Sequence, residues 1–485
     1  DFLKATNAQL QLAKLWVSVE PQKIQAHQFA AFQYARHKNY VKAVEEMEKI
    51  LEMGGQSNLD TLAIRTKLLS LDDQKKILEL YKRLAKRHPE SDQVLYSLAI
   101  LQQYTHDYKA ALQTLTPVLK RSPKNVNAII LQGRILYGLK RMKKARILFQ
   151  NAIKQLPKSR KIKTFYATLL IDQKRLNEAQ AVFKELMEQY PQTPGLKLSY
   201  ALVATENNHR DIAKVQLEEL LKKKLYLNDV QYYLAQIDAH EKNYQEAINH
   251  YYQVKTGIHF YSSISRASIL MNQLGKLNDA LRKLDKIRDE HPRQAETIWE
   301  LEIDLLLKFK KENLALTMLN KAIKAYPKNN KLVYTRAMLY ETTGQFKKME
   351  KEMLRMIKQN PNNSMALNAL GYTYADQNIH IKKAFQLIQK ALKLKPKNPA
   401  ILDSMGWVQY RKGNLVKAKA FLQKAYKKLP IPEVAAHLGE VLWVSDEKEN
   451  ALKIWQEGLD KKPKNTYIQQ AMKRLGAHFS NSPAQ

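Results

Sequence analysis

The 485-residue sequence predicts an all-α fold, a right-handed superhelical solenoid of about 13 helical-hairpin units, on three observations. The first is a ruler set by proline. Pro89, Pro123, Pro157 and Pro191 follow one another at steps of 34, and Pro21 lies two steps before Pro89. Leu225 and His259 take the next two marks, and Pro292, Pro327, Pro361, Pro396, Pro430 and Pro463 continue at steps of 33 to 35. With Gly55 at the mark between Pro21 and Pro89, the span divides into 13 intervals averaging 34 residues, which only a tandem array produces. The second observation is a recurring set of side-chain sizes. An alanine returns in most intervals (Ala43, Ala111, Ala145, Ala179, Ala213, Ala247, Ala280, Ala315, Ala384, Ala418, Ala451), and a second small residue often stands 12 before it, as Ala99, Gly133, Ala167, Ala201, Ala235, Ala337, Gly406 or Gly439. Four residues after the alanine comes a bulky apolar side chain such as Leu115, Phe149, Phe183, Leu217, Tyr251, Leu319, Leu422 or Trp455. Two small faces let paired helices approach closely, and the large side chain one turn on is the next knob on the same face. The third observation is punctuation: proline ends one helix, and Asn125, Asn329, Asn398 and Asn465, each two residues later, are suited to cap the next.

Taken in order, residues 1–20, with Ala13, Leu15 and Trp16, read as the second helix of a partial leading repeat. Residues 21–462 hold the tandem hairpins, whose internal turn carries glycine at Gly275, Gly344 and Gly413. The unit from Gly55 to His88 fits least well, with Ile77 where alanine is expected and Gly-Gly in place of proline. Residues 463–479 are expected to supply a capping helix, from Tyr467 to Leu475, and Ser480 to Gln485 a disordered tail.

Period and positions together resemble the tetratricopeptide repeat over essentially the whole chain. That resemblance speaks for fold more than function, because such solenoids present a concave surface to many kinds of partner.

Several function classes are disfavoured. There is no cysteine, hence no disulfide, thiolate metal site or cysteine nucleophile. No apolar run approaches the ~18–20 residues of a membrane span. Signatures of zinc hydrolases, nucleotide-binding loops, dinucleotide folds and serine-hydrolase elbows are absent. Ser445 and Lys448 match a Ser-x-x-Lys spacing, but without companion motifs and in a turn. No catalytic residue, metal or cofactor is expected.

The formal net charge of +35 invites a polyanion partner. Yet the lysines cluster on second helices and turns at the repeat period, as Lys222 to Lys224, Lys393, Lys395, Lys397, Lys461, Lys462 and Lys464 show, which favours a solvated convex surface over an anion-binding groove. With no RNA-recognition signature, nucleic acid is not expected. Positions ~15, 11 and 8 before the alanine mark share a different face of the first helix. They carry Tyr96, Tyr232, Tyr334, Asn368, Tyr372, Asp403, Trp407, Tyr410, Glu440 and Trp443, with Arg411 beside them, and few lysines. Aromatic and hydrogen-bonding groups on a rigid wall suit capture of an extended peptide or a protein, though some of these rings could instead fill contacts between repeats.

Two stretches are more specific. One runs from Tyr232-Tyr233-Leu234 through Tyr251-Tyr252 to Gly257, Arg266-Ala267 and Leu270. The other joins Ala369 to Tyr372, Leu402 to Trp407, Tyr410-Arg411, Gly413, Pro432 to Trp443 and Ile454-Trp455. From about residue 8 to 475 the chain resembles the tetratricopeptide outer-membrane lipoproteins of Gram-negative bacteria that act as adaptors for a periplasmic carboxyl-terminal processing protease. The resemblance implies a non-catalytic scaffold at the periplasmic face of the outer membrane, held by a lipidated cysteine upstream of Asp1, that recruits the protease and presents peptidoglycan hydrolases for degradation. Alternatives are a basic envelope scaffold for an anionic polymer, or an assembly factor for pili or lipopolysaccharide. Salt separates the first from a protein adaptor. Partner affinity measured from 50 to 300 mM NaCl is expected to fall with a shallow log–log slope, whereas a polyanion groove gives a slope of several units.

Overall fold

The computed structural model describes residues 2–479, so the tail expected to be disordered lies outside the described residues. Among the described residues the regular elements are 28 α-helices and one 3-10 turn, with no strand. They form two compact units, Asp1–Phe260 and Tyr261–Gln485. The first unit opens with α1 (Phe2–Val19), followed by hairpins α2 (Ile24–Arg36) with α3 (Tyr40–Glu52), α4 (Leu59–Arg65) with α5 (Leu71–Arg87), α6 (Asp92–Tyr104) with α7 (Tyr108–Arg121), and α8 (Val126–Gly138) with α9 (Met142–Gln155). It continues with α10 (Arg160–Asp172) and α11 (Leu176–Gln189), α12 (Pro194–Glu206) and α13 (Arg210–Lys222), and α14 (Leu227–His240) and α15 (Tyr244–Gln253). The second unit holds α16 (Phe260–Gln273) and α17 (Leu277–Glu290), α18 (Ala295–Lys308) and α19 (Glu312–Ala325), α20 (Asn330–Thr342) and α21 (Phe346–Gln359), and α22 (Ser364–Asp376) and α23 (Ile381–Leu394). Then come α24 (Pro399–Arg411) and α25 (Leu415–Lys428), α26 (Pro432–Val444) and α27 (Lys448–Lys461), and the closing α28 (Thr466–Arg474).

The side-chain sizes explain the pairing. The alanines at the repeat mark, from Ala43 to Ala451, are buried at 0% exposure, and the small residue on the facing helix receives the knob that follows them. A Cβ added at Gly133 would sit 2.3 Å from the Phe149 ring, at Gly371 2.6 Å from Ile388, at Gly406 2.5 Å from Leu422 and at Gly439 2.2 Å from Trp455. These distances are far inside van der Waals contact, so the large side chain occupies the volume a Cβ would need. In most hairpins the second helix also packs on the next first helix, which turns isolated hairpins into a continuous core, whereas α3 packs on α5 and α4 on α6.

The turns follow one rule. Five residues before the alanine mark the backbone enters the left-handed region, at φ 73°, 73° and 78° for Gly275, Gly344 and Gly413. Lys140, Lys174, Asn208, Lys242 and Lys310 take the same conformation at φ 56–65°, paying the Cβ clash that glycine avoids. At the junctions, Asn125, Asn329, Asn398 and Asn465 each accept backbone N–H bonds at the start of the following helix. In the poorly fitting unit, α4 stops at Arg65, where most other units carry Ala or Gly, and passes into the 3-10 turn Thr66–Leu68. Its partner still buries Ile77 and Tyr81 completely, and the Tyr81 hydroxyl donates to the Leu59 carbonyl at 2.7 Å. The lysines singled out above, from Lys222 to Lys464, are exposed.

Gly406→Val is therefore expected to destabilise the second unit by about 1–3 kcal/mol, because both Leu422 and the backbone carbonyl of Ala418 stand in the way. Lys140→Gly is expected to stabilise the first unit by up to about 1 kcal/mol, since relief of the left-handed strain outweighs the extra freedom glycine gives the unfolded chain. Urea unfolding followed by circular dichroism checks both.

Candidate partner-binding site

The first helices α22, α24 and α26 pack in succession, and α28 closes on α26. Their shared face assembles most of the residues selected above. The His437 imidazole lies at its centre, with Nδ1 3.0 Å from both carboxylate oxygens of Asp403 and Nε2 3.3 Å from the Tyr372 hydroxyl. Trp407 stacks on it, ring centroids 4.2 Å apart and planes 26° from parallel. The Arg411 guanidinium covers the Trp407 ring at 4.7 Å and donates to the Asp376 carbonyl at 3.1 Å. Beside this stack the Tyr410 hydroxyl donates to Glu440 at 3.2 Å, and Arg474 from α28 holds the other oxygen of the same carboxylate.

Burial divides the selected residues. Asp403, Trp407 and Glu440 are 8%, 2% and 2% exposed, so they build the wall from inside, whereas Tyr372, Tyr410, Arg411 and Trp443 are half-buried and reach its surface. Trp443 packs on Trp455 at 5.8 Å with Lys448 over its ring. Tyr334, also half-buried, feels the charge of Glu341, which accepts the Thr373 hydroxyl. Tyr96 and Tyr232 belong to the first unit. Tyr232 is buried and stacked on His259 at 4.0 Å, so its ring fills a contact with the loop that follows α15. Asn368 Oδ1, Trp407 Nε1 and Arg411 Nε are buried without a hydrogen-bond partner among the described residues. Elsewhere, Glu48, Glu52 and His88 come within metal-ligand reach of one another, but Arg87 and His88 already engage Glu48 at 2.8 Å each.

The electrostatics follow from this packing. Burial alone would push the His437 imidazole down. The Asp403 charge and hydrogen bond, with Asp376 and Glu440 nearby, outweigh it and raise the pKa above the ordinary histidine value. In the protonated state Nδ1–H donates to Asp403 and Nε2–H to the Tyr372 oxygen, so the Tyr372 hydroxyl then acts as the acceptor in that bond. Burial, then Asp376 and Asp403, hold the Tyr372 phenol far above the usual tyrosine range, so it remains a donor at every physiological pH. Burial likewise raises Tyr410 and Glu341. On this wall His437 is paired with Asp403, and Arg474 with Glu440.

A protein of Pseudomonas aeruginosa, a tetratricopeptide-repeat-containing protein, is 40% identical over 440 residues, covering 91% of this chain and 74% of that one. The chain belongs to the tetratricopeptide-repeat family. A tetratricopeptide-repeat family model also matches residues 104–169 and 145–204. Among solved structures, the chain is similar to one of Naa15/Naa10 bound to HypK-THB (15% identity, 86% of this chain and 73% of that one, TM-score 0.39). It is similar as well to the Cut9–Hcn1 hetero-tetramer (14%, 93% and 96%, TM-score 0.37) and to a thermophilic tetratricopeptide protein of Thermus thermophilus (19%, 38% and 97%, TM-score 0.33).

Two residues that complete the tetratricopeptide wall escaped selection by face alone: His437, met only within a motif, and Arg474. A usable signal was present, because Asp403 and His437, and Glu440 and Arg474, are basic and acidic partners one repeat of 34 apart. Since His437 has a raised folded pKa, its contribution to stability is complete below the unfolded value near 6.5 and is lost as pH rises through the folded value. The wild type is expected to lose more second-unit stability than His437→Gln between pH 6 and 9, measured by urea unfolding. Equal slopes would exclude the charged pair.

Proposed function

We propose that this tetratricopeptide-repeat protein is a non-catalytic adaptor at the periplasmic face of the outer membrane, which binds a carboxyl-terminal processing protease and presents peptidoglycan hydrolases to it. One observation carries this reading. The C-terminal block by which the sequence resembles the lipoprotein adaptors, Ala369 to Tyr372, Leu402 to Arg411 and Pro432 to Trp443, is the block that builds the His437-centred wall. A motif that only stabilised the repeat would need small residues and knobs; this one adds an ion pair, stacked rings and half-buried donors. The 40% identical relative, aligned over most of both chains, supports the repeat family on which a scaffold role is built. Attachment to the membrane through a lipidated residue is part of the proposal, and among the described residues no helix is long and apolar enough to cross a membrane.

The work such a scaffold does is to raise effective concentration. Two partners tethered to one frame meet at about millimolar local concentration, so a reaction that is slow between dilute components becomes fast without new chemistry. The wall offers no cluster of free cations for an anionic polymer, because His437 is paired with Asp403 and Arg474 with Glu440. Trp407 is too deeply buried to test binding cleanly, since truncating it costs about 3–5 kcal/mol of stability. The half-buried pair is the better probe. With purified protease and hydrolase, the chain is expected to accelerate hydrolase degradation, and Tyr410→Ala with Arg411→Ala to remove most of the gain while the fold persists. Equal degradation with and without the chain would sink the adaptor role.

A further inference from the structure

The first unit carries a second recognition feature. Between α6, α8 and α10 lies a cavity of about 250 Å³, lined among others by Arg134, Tyr137, Phe149, Phe165, Thr168 and Asp172. Arg134 and Tyr137 occupy the same positions relative to Ala145 that Trp407 and Tyr410 occupy relative to Ala418, so the cavity lies on the helix face equivalent to that of the C-terminal wall.

Its walls depend on two glycines of α8. Gly133 is the small residue the hairpin requires, with Phe149 in the place of its Cβ. Gly138 is not required by the repeat: the equivalent position is Tyr104, Asp172, Glu206 or Arg411 in other units. A Cβ there would lie 2.3 Å from the Tyr108 ring, which fills that space and lines the cavity from the side. The Arg134 guanidinium lies over Phe165, 4.5 Å from the ring centroid. It is exposed and makes no ion pair among the described residues. An apolar cavity of roughly 150 Å³ suffices for benzene. This one has room for an aromatic ring and part of its chain, with an unpaired cation at the edge.

We propose that this cavity is a docking pocket for an aromatic or large aliphatic side chain of an extended partner segment, with an adjacent carboxylate of that segment paired to Arg134. Cation and ring act together: Phe165 fixes the guanidinium plane, which then offers its remaining donors to the carboxylate. Asp172, exposed at the rim, receives a main-chain N–H or a basic residue of the same segment. The pocket rests on the protein-partner reading above and gives the first unit its own share in capture.

The test uses the full chain and a fluorescein-labelled, end-capped peptide, Ser-Gly-Asp-Phe-Asp-Gly-Ser, followed by anisotropy at 150 mM NaCl. Binding is expected in the micromolar to submillimolar range, at least tenfold weaker when Phe is replaced by Ala and lost when both Asp are replaced by Lys. Thr168→Trp, at an exposed position, is expected to fill the cavity and weaken binding tenfold or more without changing the melting curve. Arg134→Gln is expected to weaken it about fivefold and flatten its salt dependence. Equal binding of the Phe and Ala peptides would overturn the pocket, since that is attraction to a +35 surface and nothing more. No binding at 1 mM, or full affinity in Thr168→Trp, would also overturn it. Protease and hydrolase take no part, so a failure here is distinct from a failure of the adaptor role.

Discussion

Everything in both units depends on one contact: a small residue on a first helix receiving, in the place of a Cβ, the bulky side chain of its own second helix. Gly133 with Phe149, Gly371 with Ile388, Gly406 with Leu422 and Gly439 with Trp455 are the same contact four times. It brings two helices close enough to share a core, and the second helix then has a free flank for the next first helix. Because the contact is steric, it tolerates any knob of sufficient size and little variation in the hole. Leu, Ile, Phe and Trp all serve, whereas the hole remains Gly or Ala in most units.

That asymmetry explains how much was legible in the sequence. Helix number, hairpin pairing, the asparagine caps and the glycine turns follow from local chemistry and recur about a dozen times, so each repeat corroborates the others. The truncated α4 was foreshadowed by the absence of a small residue. The left-handed lysines were not: nothing marks Lys140 or Lys174 as turn residues except their distance from the alanine mark, because the hairpin geometry imposes a conformation their side chains disfavour. The face rule selected the residues of the C-terminal wall but not their depth. Trp407 and Tyr410 lie three residues apart on one helix, and only the neighbouring His437 and Arg411, from a different repeat and the same one, cover the first and leave the second half-open.

Charge and function separate in the same way. The lysines that give the chain its +35 are exposed on second helices and turns, where water and salt screen them. The C-terminal wall instead pairs His437 with Asp403 and Arg474 with Glu440, and these ion pairs cross from one repeat to the next. Such pairs fix the relative rotation of neighbouring first helices more than they add net stability, since burial offsets most of their attraction. A rigid, hydrogen-bonding surface with half-buried aromatic rims is what a protein partner can use. The same face in the first unit offers an aromatic cavity with a cation, a different chemistry that suits a different segment.

The central claim, that the inner wall of the second unit is the surface a protein partner meets, is tested most directly by photo-crosslinking. Benzoylphenylalanine is placed at Trp443, on the wall, and in a separate variant at Lys453, exposed on the second helix of the same hairpin. Irradiated with the protease and hydrolase, the Trp443 variant is predicted to give a covalent adduct with one of them and the Lys453 variant none. Adducts from Lys453 alone, or from both positions equally, would contradict the account.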